Sequence, residues 1–345
     1  MLVEYIWLDI DGIPRSKTKV IYDKKPEKME DLKLPFWNFD GSSTEQASGV
    51  DSELVLKPQT VCLDPFRGGD SLMVLCDVYK YSNDGDFVPH ATNTRYNAAK
   101  LFESHASQKS LFGIEQEFFL MKGEDNLAIS HNEGKKMKPQ GDYYCGNGSN
   151  NAIGRDCVEA AFKRCIIAGI RVTGMNAEVA PAQWEIQVSA NGIAASDQLH
   201  LMRYIMNRTA EMYGLWINYH PKPLGDNWNG SGCHVNFSTE EMRGKDGIEF
   251  INVACKGLEQ NHDKHIIQYG DNNELRLTGE YETSSFNKFT WGVGDRTASV
   301  RITNETLHNK CGYLEDRRPS SNMDPYVVTS LILETCLSSL KKIQL

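Results

Sequence analysis

No stretch of this 345-residue chain approaches the roughly 18 consecutive apolar residues that a membrane-spanning helix needs. Basic residues are also in deficit: 37 Lys and Arg stand against 46 Asp and Glu, for a net charge of −9. That balance excludes a broad nucleic-acid surface, which needs an excess of cations on one face. It leaves nucleotide binding open, because a metal neutralises phosphate locally. The nine cysteines include no C-x-x-C pair, so neither a zinc ribbon nor a disulfide framework is indicated. Most lie in apolar settings, such as Cys76 and Cys165, and read as small buried hydrophobes. The phosphate-loop motif G-x-x-x-x-G-K-[ST] is missing, and Gly146-Asn-Gly148 lacks the third glycine of a dinucleotide fingerprint. G-x-S-x-G and H-E-x-x-H do not occur either. The first residues, MLVEYIWLDIDG, carry neither a basic leader nor a small-residue cleavage site; the expectation is a cytosolic protein without a signal peptide.

What is present divides at about residue 88. Before it, Tyr5–Asp9, Lys17–Tyr22, Phe36–Phe39 and Ser71–Val78 read as strands separated by turn-rich segments, with no helix. After Val88-Pro89, helical patterns are expected over Thr92–Ser104, Arg155–Ile170, Ser196–Tyr213 (with Ser196 as its cap) and Pro325–Lys342. Strand patterns lie between them at Gly113–Leu120, Trp184–Ser189, Cys233–Ser238, Ser299–Ile302 and Gly312–Arg317. The expectation is an α+β chain, with a small β-rich domain at 1–88 and a larger domain at 89–345.

The chemistry shows on alternate strand positions, which point the same way. Glu115 and Glu117 share a face, as do Glu185, Gln187 and Ser189; His234, Asn236 and Ser238; and Tyr313, Glu315 and Arg317. A lone E-x-E is more often a solvated strand edge. Here each polar face is backed by aromatic or branched residues that need a core, and the pattern recurs four times. A shared cavity is the better reading. Glutamates with one histidine suit a hard ion, Mg²⁺ or Mn²⁺, better than structural zinc. Arg296, Arg301, Arg317 and Arg318 cluster in sequence and suit phosphate, although surface salt bridges are the ordinary use of such residues.

Five motifs together are similar to those of eukaryotic-type glutamine synthetases, a type that also occurs in some bacteria. They are Trp37-Asn-Phe-Asp-Gly-Ser-Ser-Thr, Asn176-Ala-Glu-Val-Ala-Pro-Ala-Gln-Trp-Glu, Asn227-Trp-Asn-Gly-Ser-Gly-Cys-His, Leu277-Thr-Gly and Glu315-Asp-Arg-Arg-Pro. The resemblance runs in order through nearly the whole chain. It implies an N-terminal β-grasp domain, then a catalytic domain with an antiparallel sheet flanked by helices. It also implies a decamer of two stacked pentamers, with active sites between neighbouring subunits.

The activity implied is ATP-dependent ligation of ammonium to the γ-carboxylate of L-glutamate through a γ-glutamyl phosphate, with two to three Mg²⁺ or Mn²⁺ per site. By motif, Glu117, Glu178 and Glu185 would hold one metal and Glu115, His234 and Glu315 another. ATP would meet Glu185, Ile186, Gln187, Val188, Ser189, Ala190, Asn236, Phe237, Ser238, Arg296, Arg301 and Tyr313. Glutamate would meet Asn227, Trp228, Asn229, Gly230, Arg276, Arg296 and Arg317. Asp40 from a neighbouring subunit and Glu282 would handle protons, with Arg296 beside the transferred phosphate. The chain departs from the family pattern at Leu111, Asn150, Asn151, Tyr281 and Thr303. Beside this reading stand a ligase for methylamine or a polyamine, a non-catalytic ring protein and a two-metal phosphatase. Asp40 and Glu282 favour ammonium, six retained ligands favour catalysis, and the Asn227–His234 motif does not suit a phosphatase.

Overall fold

The structure, a computed structural model, describes residues 1–341 apart from 24, 83, 124–125, 128–136 and 281–283. Two sheets organise it. The first holds β1 (Leu2–Leu8), β2 (Pro14–Val20), β3 (Trp37–Asp40), β4 (Glu53–Leu63), β5 (Leu72–Tyr81) and β6 (Phe87–Pro89). Their order is β2-β1-β5-β4-β3, with β6 on β5. The β1–β5 pair is parallel and the others antiparallel. In β1, Val3, Tyr5 and Trp7 pack into one core and Ile6 into another. Both faces are therefore covered, and the strand is buried almost throughout.

Helix α1 (Thr94–Ser104) follows, capped by the Asn93 side chain. The second sheet contains β7 (Leu111–Lys122), β8 (Asn126–Leu127), β9 (Val172–Ala177), β10 (Gln183–Asn191), β11 (Trp216–Asn218), β12 (Cys233–Ser238), β13 (Trp291–Val293), β14 (Val300–Ile302) and β15 (Leu314–Asp316). Its main path is β13-β14-β15-β12-β7-β10-β9, with β8 and β11 also on β7. One pair, β13–β14, is parallel, so the expected antiparallel sheet is mixed at that edge. The remaining helices are α2 (Arg155–Ala168), α3 (Ala194–Met212), α4 (Glu240–Arg243), α5 (Gly247–Gln260), α6 (His262–Ile266), α7 (Asn304–Asn309) and α8 (Pro325–Lys341).

Gly169, at φ +85°, ends α2 as the sequence suggests. Ser196 is not the cap of α3, which starts two residues earlier. Its hydroxyl is buried instead, bonding to the Pro325 carbonyl and to Thr329. Among the described residues, no helix is long and apolar enough to cross a membrane.

The lower face of the second sheet meets the helices through Phe112, Ile114, Phe118, Trp184, Ile186, Val188, Val235 and Phe237, all essentially inaccessible. Gln116 lies among them and is satisfied: it accepts from Arg203 at 2.8 Å and donates to Ser321. With the apolar residues drawn downward, every polar residue between them must point up.

Candidate active site

Strand register converts that upward face into rows. Arg301, Glu315, Asn236, Gly113 and Ser189 lie opposite one another across β14, β15, β12, β7 and β10. The next row is His234, Glu115, Gln187 and Gly174, and the third is Glu117, Glu185 and Asn176. A Cβ at Gly174 would come within 2.9 Å of the Gln187 amide oxygen, so glycine there makes room for the amide. Of these residues, Arg301, His234, Glu115, Gln187, Glu117, Glu185 and Asn176 line a cavity of about 650 Å³, a volume suited to a nucleotide-sized ligand.

Two ligand clusters stand on the floor. Atoms of Glu115, His234 and Glu315 lie within 4.8 Å of one another, as do atoms of Glu117, Glu178 and Glu185. His234 Nδ1 is 3.4 Å from Glu115 and 3.6 Å from Glu315. Burial, then the neighbouring Arg317, keeps the His234 ring neutral and so able to donate a lone pair. Burial and the adjacent Glu178 push the Glu117 carboxyl up to about 8. Burial, with Glu115 and Glu117 close by, does the same to Glu185. Carboxylates forced together this way are held apart in charge only by protons or a cation. Oxygen-rich sets with a single neutral imidazole fit a divalent hard ion, so these residues suit Mg²⁺ or Mn²⁺.

Side-chain amides orient the carboxylates. Asn236 donates to Glu115 at 2.7 Å, Gln187 to Glu185 at 2.6 Å, Asn176 to Glu178 at 2.8 Å and Gln183 to Glu117 at 3.3 Å. Glu315 instead receives Arg301 and Arg317. Arginines 276, 296, 301 and 317 all line the cavity. Arg276 is buried, donating to the carbonyls of Arg317, Arg318 and Pro319, and burial lowers it to about 10. Gly230 lies against it: a Cβ there would sit 2.4 Å from the Arg276 Cγ. On the opposite side of β15, Asp316 and Arg318 form a fully buried ion pair with His262 and Tyr269 around it.

The structure thus gathers Glu115, Glu117, Glu178, Glu185, Gln187, Asn229, Gly230, His234, Arg276, Arg296, Arg301 and Arg317 around one space. Other residues singled out from sequence lie elsewhere. Ile186, Val188, Ala190 and Phe237 point into the core, which leaves their backbone alone to face a ligand. Trp228 packs against Phe119, Met121 and Ala180, and Asn227 is exposed beside it. Ser189, Asn236, Ser238 and Tyr313 stand beyond the cavity lining, on the strands and strand ends that continue it. Asp40 is exposed at the end of β3 and does not line the cavity of its own chain. Hydrogen bonds from Ser42 and Ser43 hold its carboxyl down at about 2. Glu282, with Tyr281 and Thr283, falls outside the described residues.

Sequence reasoning did not single out Tyr144, Asn176 or Gln183 for the site. Asn176 carried a signal, since it stands two residues before Glu178 and shares its side. Tyr144 carried none.

Residues 1–81 match the family model for the glutamine synthetase β-grasp domain, and residues 92–249 match that for the glutamine synthetase catalytic domain. The chain is 48% identical to a glutamine synthetase cytosolic isozyme of Daucus carota, over 97% of this chain and 94% of that protein. It is 47% identical to glutamine synthetase cytosolic isozyme 1-3 of Arabidopsis thaliana, over 98% and 94%. The fold matches the cryo-electron microscopy structure of Plasmodium falciparum glutamine synthetase with a TM-score of 0.77 at 18% identity. That match covers 99% of this chain and 72% of the other. Near-complete coverage at close to half identity, with both domains matched in order, means that this chain belongs to the glutamine synthetase family.

Proposed function

We propose that the chain is a glutamate–ammonia ligase, joining ammonium to the γ-carboxylate of L-glutamate as ATP is converted to ADP and phosphate. The observation that carries this is the pair of ligand clusters on one cavity floor with four arginines around them. In the same reading the chain divides into domains at 1–88 and 89–345, acts in the cytosol and assembles as a decamer of stacked pentamers.

Glu117, Glu178 and Glu185 would hold one divalent ion and Glu115, His234 and Glu315 another, two to three ions serving each site. Bound Mg²⁺ or Mn²⁺ would offset the phosphate charge that otherwise opposes attack by a carboxylate. Asn229, Gly230, Arg276 and Arg317 would seat glutamate with its γ-carboxylate towards the phosphates. Arg301, the Glu185–Ala190 and Asn236–Ser238 backbones, and Tyr313 would seat ATP. A γ-carboxylate oxygen then attacks the terminal phosphorus, the bond to ADP breaks, and γ-glutamyl phosphate forms, with Arg296 countering the transferred charge. Asp40 of a neighbouring copy, fully ionised at neutral pH, would accept a proton from ammonium. The freed ammonia attacks the acyl carbon, and phosphate departs. Glu282 would take the second proton and help exclude water from the acyl phosphate.

The reading predicts ADP release only when glutamate, ammonium and Mg²⁺ are all present, with ammonium preferred to methylamine and putrescine. Metal-dependent ATP turnover indifferent to glutamate would defeat it. Glu282→Ala should cut glutamine formation by about 10²-fold or more while leaving ATP binding within about twofold. An equal loss of both would remove the proton role from Glu282.

A further inference from the structure

Gln183 opens β10 and is 1% exposed. An amide side chain offers two N–H donors and an oxygen with two lone pairs, and here all of that capacity is used. Its Nε2 donates to the Gly230 carbonyl at 2.9 Å and to Glu117 Oε2 at 3.3 Å. Its Oε1 accepts from Asn229 Nδ2 at 3.0 Å and from the Ala180 N–H at 3.2 Å. Its own carbonyl accepts the Glu178 N–H at 2.8 Å. The residue before it, Ala182, sits at φ +58°, a left-handed conformation uncommon for alanine. The turn that delivers the amide is thus held in an unfavourable shape by its surroundings.

Glu117 Oε2 also receives the Gly232 N–H at 2.8 Å. That oxygen is filled by two donors, and Glu117 Oε1 is left for the cavity. A single neutral side chain therefore joins one carboxylate of the acidic cluster to the Asn229-Gly230 loop and touches the backbone of a second carboxylate residue.

We propose that Gln183 is a positioning residue that couples glutamate binding at the Asn229-Gly230 loop to cation binding at Glu117, so that each strengthens the other. This rests on the ligase reading above. The amide is suited to the task because it donates without adding charge. A glutamate there would aim acceptors at the Gly230 carbonyl and at Glu117, beside three carboxylates already crowded together. Reciprocity follows from linkage: whatever aligns the loop for one ligand aligns Glu117 for the other.

Gln183→Met keeps the volume and removes the hydrogen bonds. In the purified full-length protein it should raise the glutamate KM by about tenfold or more and leave the ATP KM within about twofold. It should also weaken Mn²⁺ binding by about tenfold, read from the electron paramagnetic resonance of free Mn²⁺ without any turnover. Asn229→Ala provides a second arm that leaves β10 untouched. It removes a donor to Gln183, and it should weaken Mn²⁺ binding severalfold even if Gln183→Met does not fold. Unchanged Mn²⁺ affinity in Asn229→Ala, or glutamate and ATP KM rising together in Gln183→Met, overturns the coupling. A wild-type protein that neither binds Mn²⁺ nor needs glutamate overturns the ligase reading, and the coupling with it. A normal wild type with unmoved variants overturns the coupling alone.

Discussion

Glu117 and Glu185 carry a consequence for stability as well as for binding. An ordinary glutamate titrates near 4.5, and both carboxyls are pushed up to about 8. Between those values the folded chain retains protons that the unfolded chain has released. The contribution of these two carboxyls to the stability of the cation-free protein then falls as pH rises through that window, while the buried neutral His200, His234 and His265 act in the opposite sense below about pH 6.5. A divalent ion that binds the deprotonated cluster reverses the trend. We therefore expect the melting temperature of chelator-treated protein to drop between about pH 7 and 8, above the range in which the histidines titrate, and added Mg²⁺ or Mn²⁺ to raise it more at pH 8 than at pH 6. Binding near pH 7 should release protons, visible as a calorimetric heat that changes with the ionisation enthalpy of the buffer. A heat independent of buffer would contradict the protonated cluster.

Between elements, one buried polar joint locks the first sheet to the helices of the second. Arg95 on α1 makes a bidentate contact with Asp197 on α3, at 2.8 and 2.9 Å, and lies 3.9 Å from Asp77 on β5. Thr60 on β4 and Tyr326 on α8 close on the same Asp197 carboxylate. Removing one partner of such a buried set leaves charge without compensation. Arg95→Ala should cost about 3–5 kcal/mol in urea unfolding, and a loss below about 1 kcal/mol would show that the joint contributes little.

Elements were legible from sequence to the extent that one face of them meets water or a cavity. Period-two alternation located β7, β10 and β12 and assigned Glu115, Glu117, Glu185 and His234 to the correct side. It did not find β4 and β9, where Pro58 and Gly174 interrupt the pattern. Nor did it find α5, whose Gly247 and Gly257 read as breakers. Gly247 sits under the Met242 carbonyl and Gly257 against Ser339, so both glycines answer to close approach. The misreading of Ser196 has the same root, because a serine is satisfied equally well by a helix end or by a buried hydroxyl on a neighbouring helix. Register between strands, which forms the rows, involves partners as far apart in sequence as Gly113 and Asn236 and has no local signature.

At the scale of the whole molecule, Asp40 belongs to the first sheet and faces outward, away from the lining of its own cavity. If sites are completed between copies, Asp40→Ala and Glu115→Ala proteins should each be inactive alone. Co-expressed, they should regain part of the wild-type rate, because some sites then draw intact residues from two chains. Continued inactivity of the mixture would mean that each chain builds its own site. The cavity floor has a further consequence, in time. Its ligands run from Glu115 on β7 to Glu315 on β15, with His234 midway. During synthesis the first three-carboxylate cluster has all its side chains once residue 185 has emerged. The second must wait for residue 315. A chain stopped after residue 234 and before residue 315 would hold Glu115 and His234 without their third partner, so binding at that cluster reports that β15 has been made.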